Sequence, residues 1–232
     1  MIRWSSALNG FVELFYPRLC VGCGKKLFHD ERFLCVECLS TLPLAQVHES
    51  EDNFVEQHLY GKTYIESATT LMVYGKESVP QRIIHEIKYH GAKELAKNMG
   101  CMLGREMKNG RFASVDMIVP VPLHPKRLKW RGYNQSEWIA MGLSKGMGIP
   151  YLTDVLVRTQ FTETQTRKGR FARWQNVKEV FEVQNPEKIA YTHVLVCDDV
   201  LTTGATTEAA IRKLLEVEGV RVSVATLAAT TL

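Results

Sequence analysis

At 232 residues, with 45% hydrophobic and 23% charged residues, the chain has the make-up of a soluble globular protein built as one large domain, or one domain with a small appendage. A formal charge of +4 makes it mildly basic, which permits an anionic ligand without demanding one. No apolar run approaches the about 20 residues that a membrane span needs, so an integral membrane role is not expected.

The N-terminal stretch MIRWSSALNGFVELFYPRLC has its apolar residues broken by Asn9, Gly10 and Glu13 and carries no small-residue cleavage pattern. It predicts a short amphipathic helix packed on its own domain rather than a signal peptide. A disulfide framework is therefore not expected, and the expected compartment is a reducing cytoplasm.

Next come two C-x2-C knuckles, Cys20 with Cys23 and Cys35 with Cys38, separated by 11 residues. Each knuckle offers two thiolates from one tight turn, eased sterically by Gly22 and Gly24 in the first, and two knuckles complete a tetrahedral sulfur shell. The spacing predicts a structural zinc ribbon. A redox pair is disfavoured because neither knuckle opens a βαβ unit, and an iron–sulfur cluster is the competing thiolate site. Cys101 and Cys197 read as small buried hydrophobes.

The sequence then turns polar and weakly patterned, and residues 46–65 are read as a connector. Residues 67–75, SATTLMVYG, are β-branched and aromatic and predict a strand. Ile83, Ile84 and Ile87 recur at helical spacing, and Leu95, Met99, Met102 and Leu103 continue that pattern in a second helix. DMIVPVP is a short buried strand, QSEWIAMGLSKGMG a helix closed by glycine, and YLTDVLVR and FEV are strands. HVLVCDD, TEAAIRKLLEVEG (a helix starting near Thr207) and VRVSVATLAA complete a strand–helix–strand unit. Alternating strands and helices predict a mostly parallel α/β sheet with right-handed crossovers.

The informative stretch is VLVCDDVLTTGAT, residues 194–206. Asp198 and Asp199 follow a buried strand, where ligands of open α/β sheets bind. The turn Thr202, Thr203, Gly204, Ala205, Thr206 then brings hydroxyls and backbone N–H groups to a helix N-terminus, an anion site. Strand-end capping would need one acid only. An Mg2+-binding acidic site of the nucleotide hydrolases would need a G-x4-G-K-[ST] loop, which the sequence lacks. Acids for sugar hydroxyls beside a phosphate cradle describe a ribose-phosphate site.

This stretch resembles the phosphoribosyl pyrophosphate (PRPP) motif of type I phosphoribosyltransferases. IKYHGAKELA, VPVPLHPKRLKWRGYNQSEWIA and QTRKGRFARWQNVKEVF resemble the ComF branch of that group, as does a four-cysteine ribbon ahead of the domain. The resemblance implies a type I phosphoribosyltransferase-like, mostly parallel sheet flanked by helices and preceded by a small zinc ribbon. The expected division is 1–45 for the N-terminal helix and ribbon, 46–65 for the connector and 66–232 for the transferase-like domain.

By resemblance, Asp198 and Asp199 hold the ribose hydroxyls and form the catalytic pair. Thr202, Thr203, Gly204, Ala205 and Thr206 hold the 5′-phosphate, and Lys126 and Arg127 meet the pyrophosphate. Mg2+ would bridge pyrophosphate and ribose. Arg167, Lys168, Arg170 and Arg173 belong to a loop expected to close over the site. Lys129, Trp130, Arg131 and Tyr133 interleave charge and aromatic rings, which suits either a single-stranded nucleic-acid surface or charges toward pyrophosphate with aromatics in the core. The spacing leaves both open.

Two functions follow as expectations. One is phosphoribosyl transfer to an acceptor that the sequence does not reveal, linked to DNA uptake in competence. The other is a non-catalytic, PRPP-sensing adaptor that binds single-stranded DNA and works with a competence helicase or another DNA-processing protein.

Overall fold

The computed structural model describes residues 17–28, 30–159 and 180–231. The N-terminal helix expectation up to residue 16, and the loop carrying Arg167, Lys168, Arg170 and Arg173, fall outside those residues.

The chain enters through the cysteine turns and helix α1 (Val36–Ser40), then a single helical turn α2 (Phe54–Gln57). Strand β1 (Ala68–Val73) follows, its β-branched run buried along nearly its whole length. Helices α3 (Val79–Tyr89) and α4 (Lys93–Glu106) carry the chain across to β2 (Met117–Pro120). Helix α3 starts where the Ser78 hydroxyl accepts the Gln81 amide at 3.3 Å, and it buries Ile83, Ile84 and Ile87 on one stripe. Each such side chain contributes about 1.5–3 kcal/mol of burial, which holds the polar carboxyl end of α3 in place.

After β2 come α5 (Pro125–Arg131) and α6 (Gln135–Met147), then β3 (Leu156–Arg158) and β4 (Phe181–Val183). Strand β5 (His193–Leu201), α7 (Ala205–Leu214) and β6 (Arg221–Ala229) finish the domain. Strands β1, β6, β5 and β2 lie side by side in that order, all parallel.

This order positions the site. From β2 the chain passes through α6 to Tyr151, which bridges Ile118 in parallel. From β5 it passes through α7 to β6, the neighbour of β5 away from β2. The two connections leave in opposite directions, so a crevice opens at the carboxyl ends of β2 and β5, a topological switch point.

Three local expectations differ from the structure. YLTDVLVR is not one strand: Tyr151 makes a lone bridge, and β3 pairs antiparallel with β4 outside the parallel sheet. Strand propensity reports a half-buried surface, not the partner that covers it. Helix α7 begins at Ala205 rather than near Thr207, because Gly204 at φ +78 turns the chain into the helix directly.

Third, the weakly patterned connector packs tightly. Asn53 caps α2, Val55 and Leu59 are fully buried, and the ring of His58 hydrogen-bonds the Thr230 carbonyl at 2.7 Å. Its polarity hides this because several of its polar groups are buried with partners rather than exposed.

The ribbon shares one apolar cluster with the sheet. Cys20, Leu27, Leu34, Cys35 and Cys38 pack with Leu71, Met72 and Ile83, and Leu44 bridges Met72.

Candidate functional site: a phosphoribosyl cleft and a four-cysteine cluster

The crevice is a cleft of about 380 Å³, lined by the carboxyl ends of α3, β2 and β5, by α5, and by the turn into α7. Strand β5 continues through Leu201, so the side chains of Asp198 and Asp199 diverge as alternate strand residues do. Asp198 Oδ1 accepts from the Ser136 hydroxyl at the start of α6 and from the Asp199 amide, both at 2.8 Å. Asp199 Oδ1 lies 2.8 Å from Lys88 Nζ at the end of α3.

Asp199 is 2% exposed, and its Oδ2 is buried with no hydrogen-bond partner. A buried carboxylate oxygen without a donor costs about 1–3 kcal/mol or more, so Asp199 is an unsatisfied acceptor in the wall of the cleft. Burial, then the adjacent charge of Asp199, pushes the Asp198 carboxyl up to about 7, and Ser136, the Asp199 amide and Lys88 offset only part of that. For Lys88, burial works against the ammonium, but the Asp199 carboxylate outweighs it and raises the pKa above the ordinary lysine value.

Thr202, Thr203, Gly204, Ala205 and Thr206 line the opposite side of the cleft. Helix α7 has no side-chain hydrogen bond at its N-cap, so its first amides and the threonine hydroxyls are presented at the cleft. The connector braces this turn from behind: Lys62 Nζ donates to the Thr203 carbonyl at 3.0 Å and to the His58 carbonyl at 2.7 Å.

Four cations, Lys88, Arg127, Arg131 and Arg158, line the cleft against the two aspartates. That surplus suits a ligand carrying several negative charges. For Arg158, burial and then the Arg127 guanidinium lower the pKa, while Asp198 pulls it the other way. The two arginines therefore bear on one another at the end of the cleft that β2 and β3 define.

Asp198, Asp199, Arg127 and the whole turn from Thr202 to Thr206 thus converge on one cleft. Lys126 is exposed on α5 and is not among the lining residues. The nucleic-acid candidates separate. Trp130 is 72% exposed and Lys129 is exposed, whereas Arg131 lines the cleft with its guanidinium 5.6 Å from the Tyr89 ring centre. Tyr133 cannot stack on a base: it is buried, and its hydroxyl donates to the Ile87 carbonyl, anchoring the chain after α5 to α3.

Sequence reasoning did not assign Lys88, Tyr89, Ser136 or Arg158 to the site. Lys88 and Tyr89 lie within IKYHGAKELA, so a local signal existed for them. Arg158 reaches the cleft only through the β3–β4 pairing, for which no sequence pattern spoke.

At the other end of the chain, the ligand atoms of Cys20, Cys23, Cys35 and Cys38 all lie within 4.8 Å of one another. The Cys35 amide donates to Cys20 Sγ at 3.2 Å and the Cys38 amide to Cys35 Sγ at 3.5 Å, arrangements that favour thiolates. A Cβ at Gly22 would stand 2.7 Å from Cys38 Sγ, so the turn passes too close to that sulfur to carry a side chain. This closed set of four thiols fits a tetrahedral metal ion.

Residues 134–231 match the phosphoribosyl transferase domain family. Competence protein F of Haemophilus influenzae is 29% identical over 216 residues, covering 89% of this chain and 94% of that protein. These similarities are those of a ComF-type, phosphoribosyltransferase-like protein. DNA utilization protein YhgH of Escherichia coli K12 is 31% identical over 128 residues, covering 53% of this chain and 56% of that protein. Among solved structures, adenine phosphoribosyltransferase from Leishmania tarentolae is 14% identical with a TM-score of 0.36, covering 77% of this chain and 89% of that one. The α/β domain, matched in its C-terminal part by the phosphoribosyl transferase family, follows the four-cysteine cluster in this chain. No helix among the described residues is long and apolar enough to cross a membrane.

Proposed function

We propose that the cleft binds PRPP and that the protein transfers its phosphoribosyl group to an acceptor in the course of handling incoming DNA in the cytoplasm. The observation that carries this reading is the buried, donorless Oδ2 of Asp199, set across a 380 Å³ cleft from the uncapped N-terminus of α7. Asp198 and Asp199 receive the ribose hydroxyls, and Thr202, Thr203, Gly204, Ala205 and Thr206 cradle the 5′-phosphate. Arg127, with Arg158 beside it, takes the pyrophosphate end, and Lys126 contributes charge from outside the cleft wall.

The chemistry is displacement at the anomeric carbon. The bond to pyrophosphate breaks as the acceptor bonds, and the sugar passes through a cation-like state. The protein's part is positioning and charge rather than a covalent nucleophile. The acidic pair lies where it stabilises positive charge on the ribose, and the arginines lie where negative charge gathers on the leaving group. Mg2+, when bound with PRPP, neutralises charge on the pyrophosphate. The cysteine cluster holds Zn2+ in a structural role, since four thiolates leave no open coordination position.

A second reading is favoured by Trp130. Its exposure beside Lys129, with its ring 6.1 Å from Tyr89 at the cleft mouth, suits a stacking platform for single-stranded DNA. In that reading the cleft senses PRPP, and the protein serves as an adaptor to a helicase or another DNA-processing protein. The names of the relatives, a competence protein and a DNA utilization protein, support a DNA-linked role in either form.

The test is calorimetric titration of PRPP with Mg2+ into the full chain and into Asp199→Asn, repeated with a single-stranded oligonucleotide bound. Binding that weakens about 100-fold in the variant, with the fold retained although the buried pair with Lys88 is broken, is expected from the loss of a charged hydrogen-bond acceptor. No binding to the wild-type chain would reject the PRPP reading. Oligonucleotide-linked affinity would favour the adaptor.

A further inference from the structure

Lys88 is placed as no surface lysine would be. It stands in the last turn of α3, its side chain 22% exposed, with Nζ 2.8 Å from Asp199 Oδ1. The charged groups that bear on it are Asp199, Asp198 and, from α5, Arg131. Its backbone cannot drift, because Ile83, Ile84 and Ile87 fasten α3 to the core and the Tyr133 hydroxyl ties the Ile87 carbonyl.

Two adjacent buried carboxylates repel one another, and a site that needs both as acceptors for ribose hydroxyls must supply positive charge. A proton would remove an acceptor. A divalent ion could supply the charge, but here an ammonium is already in contact. By engaging Oδ1 it also fixes the rotation of the Asp199 carboxylate and leaves Oδ2 as the buried oxygen without a hydrogen-bond partner.

We propose that Lys88 is the resident counter-cation of the acidic pair, so that the cleft holds a ribose 5-phosphate ligand without a divalent metal. This rests on the reading of the cleft as a phosphoribosyl site and assigns Lys88 a positioning role within it. Metal dependence then arises from the pyrophosphate of PRPP and not from the sugar.

The experiment is calorimetric titration of ribose 5-phosphate into the full chain, once in EDTA and once in Mg2+, for wild type, Lys88→Met and Lys88→Arg. Wild type is expected to bind equally in both buffers. Lys88→Met is expected to weaken about 30-fold or more in EDTA, the effect of removing one partner of a buried charge pair, and to recover part of that loss in Mg2+. Lys88→Arg is expected to stay metal-independent, which a purely structural role would not predict. Thermal unfolding of each variant checks folding, and the arginine variant carries the test if the methionine variant does not fold. A wild type that needs Mg2+ for ribose 5-phosphate, or a Lys88→Met that binds like wild type in EDTA, overturns the Lys88 assignment while leaving the cleft reading in place. Failure of wild type to bind either ribose 5-phosphate or PRPP overturns both.

Discussion

The four-cysteine cluster and the cleft are built by opposite means. The cluster draws its ligands from a span of 19 residues, Cys20 to Cys38, and every ligand position follows from covalent spacing and tight turns. The cleft draws Lys88, Arg127, Ser136, Arg158 and Asp199 from five segments spread over 112 residues, Lys88 to Asp199. The first gathers its four thiols within 4.8 Å of one another. The second retains an unpartnered carboxylate oxygen and an acid that titrates near neutrality. A structural site can relax into its most stable form, whereas a binding site keeps polar groups waiting for a ligand and is less stable for it.

The sharpest break in that comparison is Cys38→Ser. Losing one ligand from a closed shell should abolish metal binding, and because the cluster packs with Leu71 and Met72 the damage should reach the sheet. The cost should approach the about 10–16 kcal/mol that structural zinc supplies in zinc-finger peptides. Metal content and thermal unfolding measure it, and unchanged values would mean the cluster is not a structural metal site.

Asp198→Asn should act in the opposite direction. The native carboxyl sits at about 7, above its ordinary unfolded value, so between about pH 4 and 7 the folded chain binds more protons than the unfolded one. Stability therefore falls as pH rises through that window. The asparagine variant should match wild type near pH 4 and exceed it by about 4 kcal/mol at pH 8, an order-of-magnitude figure from a three-unit shift. Chemical denaturation across pH checks this, and parallel profiles for the two proteins would show that Asp198 is not strained.

The smallest effect is expected at the cleft mouth. Trp130→Ala should leave folding unchanged, since the ring is exposed, while weakening a single-stranded oligonucleotide by about 1–3 kcal/mol if a base stacks there. Fluorescence anisotropy in varied salt measures it. Unaltered oligonucleotide affinity would remove Trp130 from any DNA surface.

Much of this molecule is legible along the chain. The two knuckles, the helical stripe of α3, the buried run of β5 and the Asp198–Thr206 sequence are local patterns, and turns, helices and strands impose their periods on neighbouring residues. The tertiary structure alone decided that Lys88 faces Asp199, that Arg158 arrives beside Arg127, and that Tyr133 is buried while Trp130 stays out. It also packed residues 53–62 behind the turn from Thr202 to Thr206. Those outcomes depend on which strand lies beside which and which helix face meets the core. Such choices are settled by packing between segments far apart in the chain, and no local spacing encodes them.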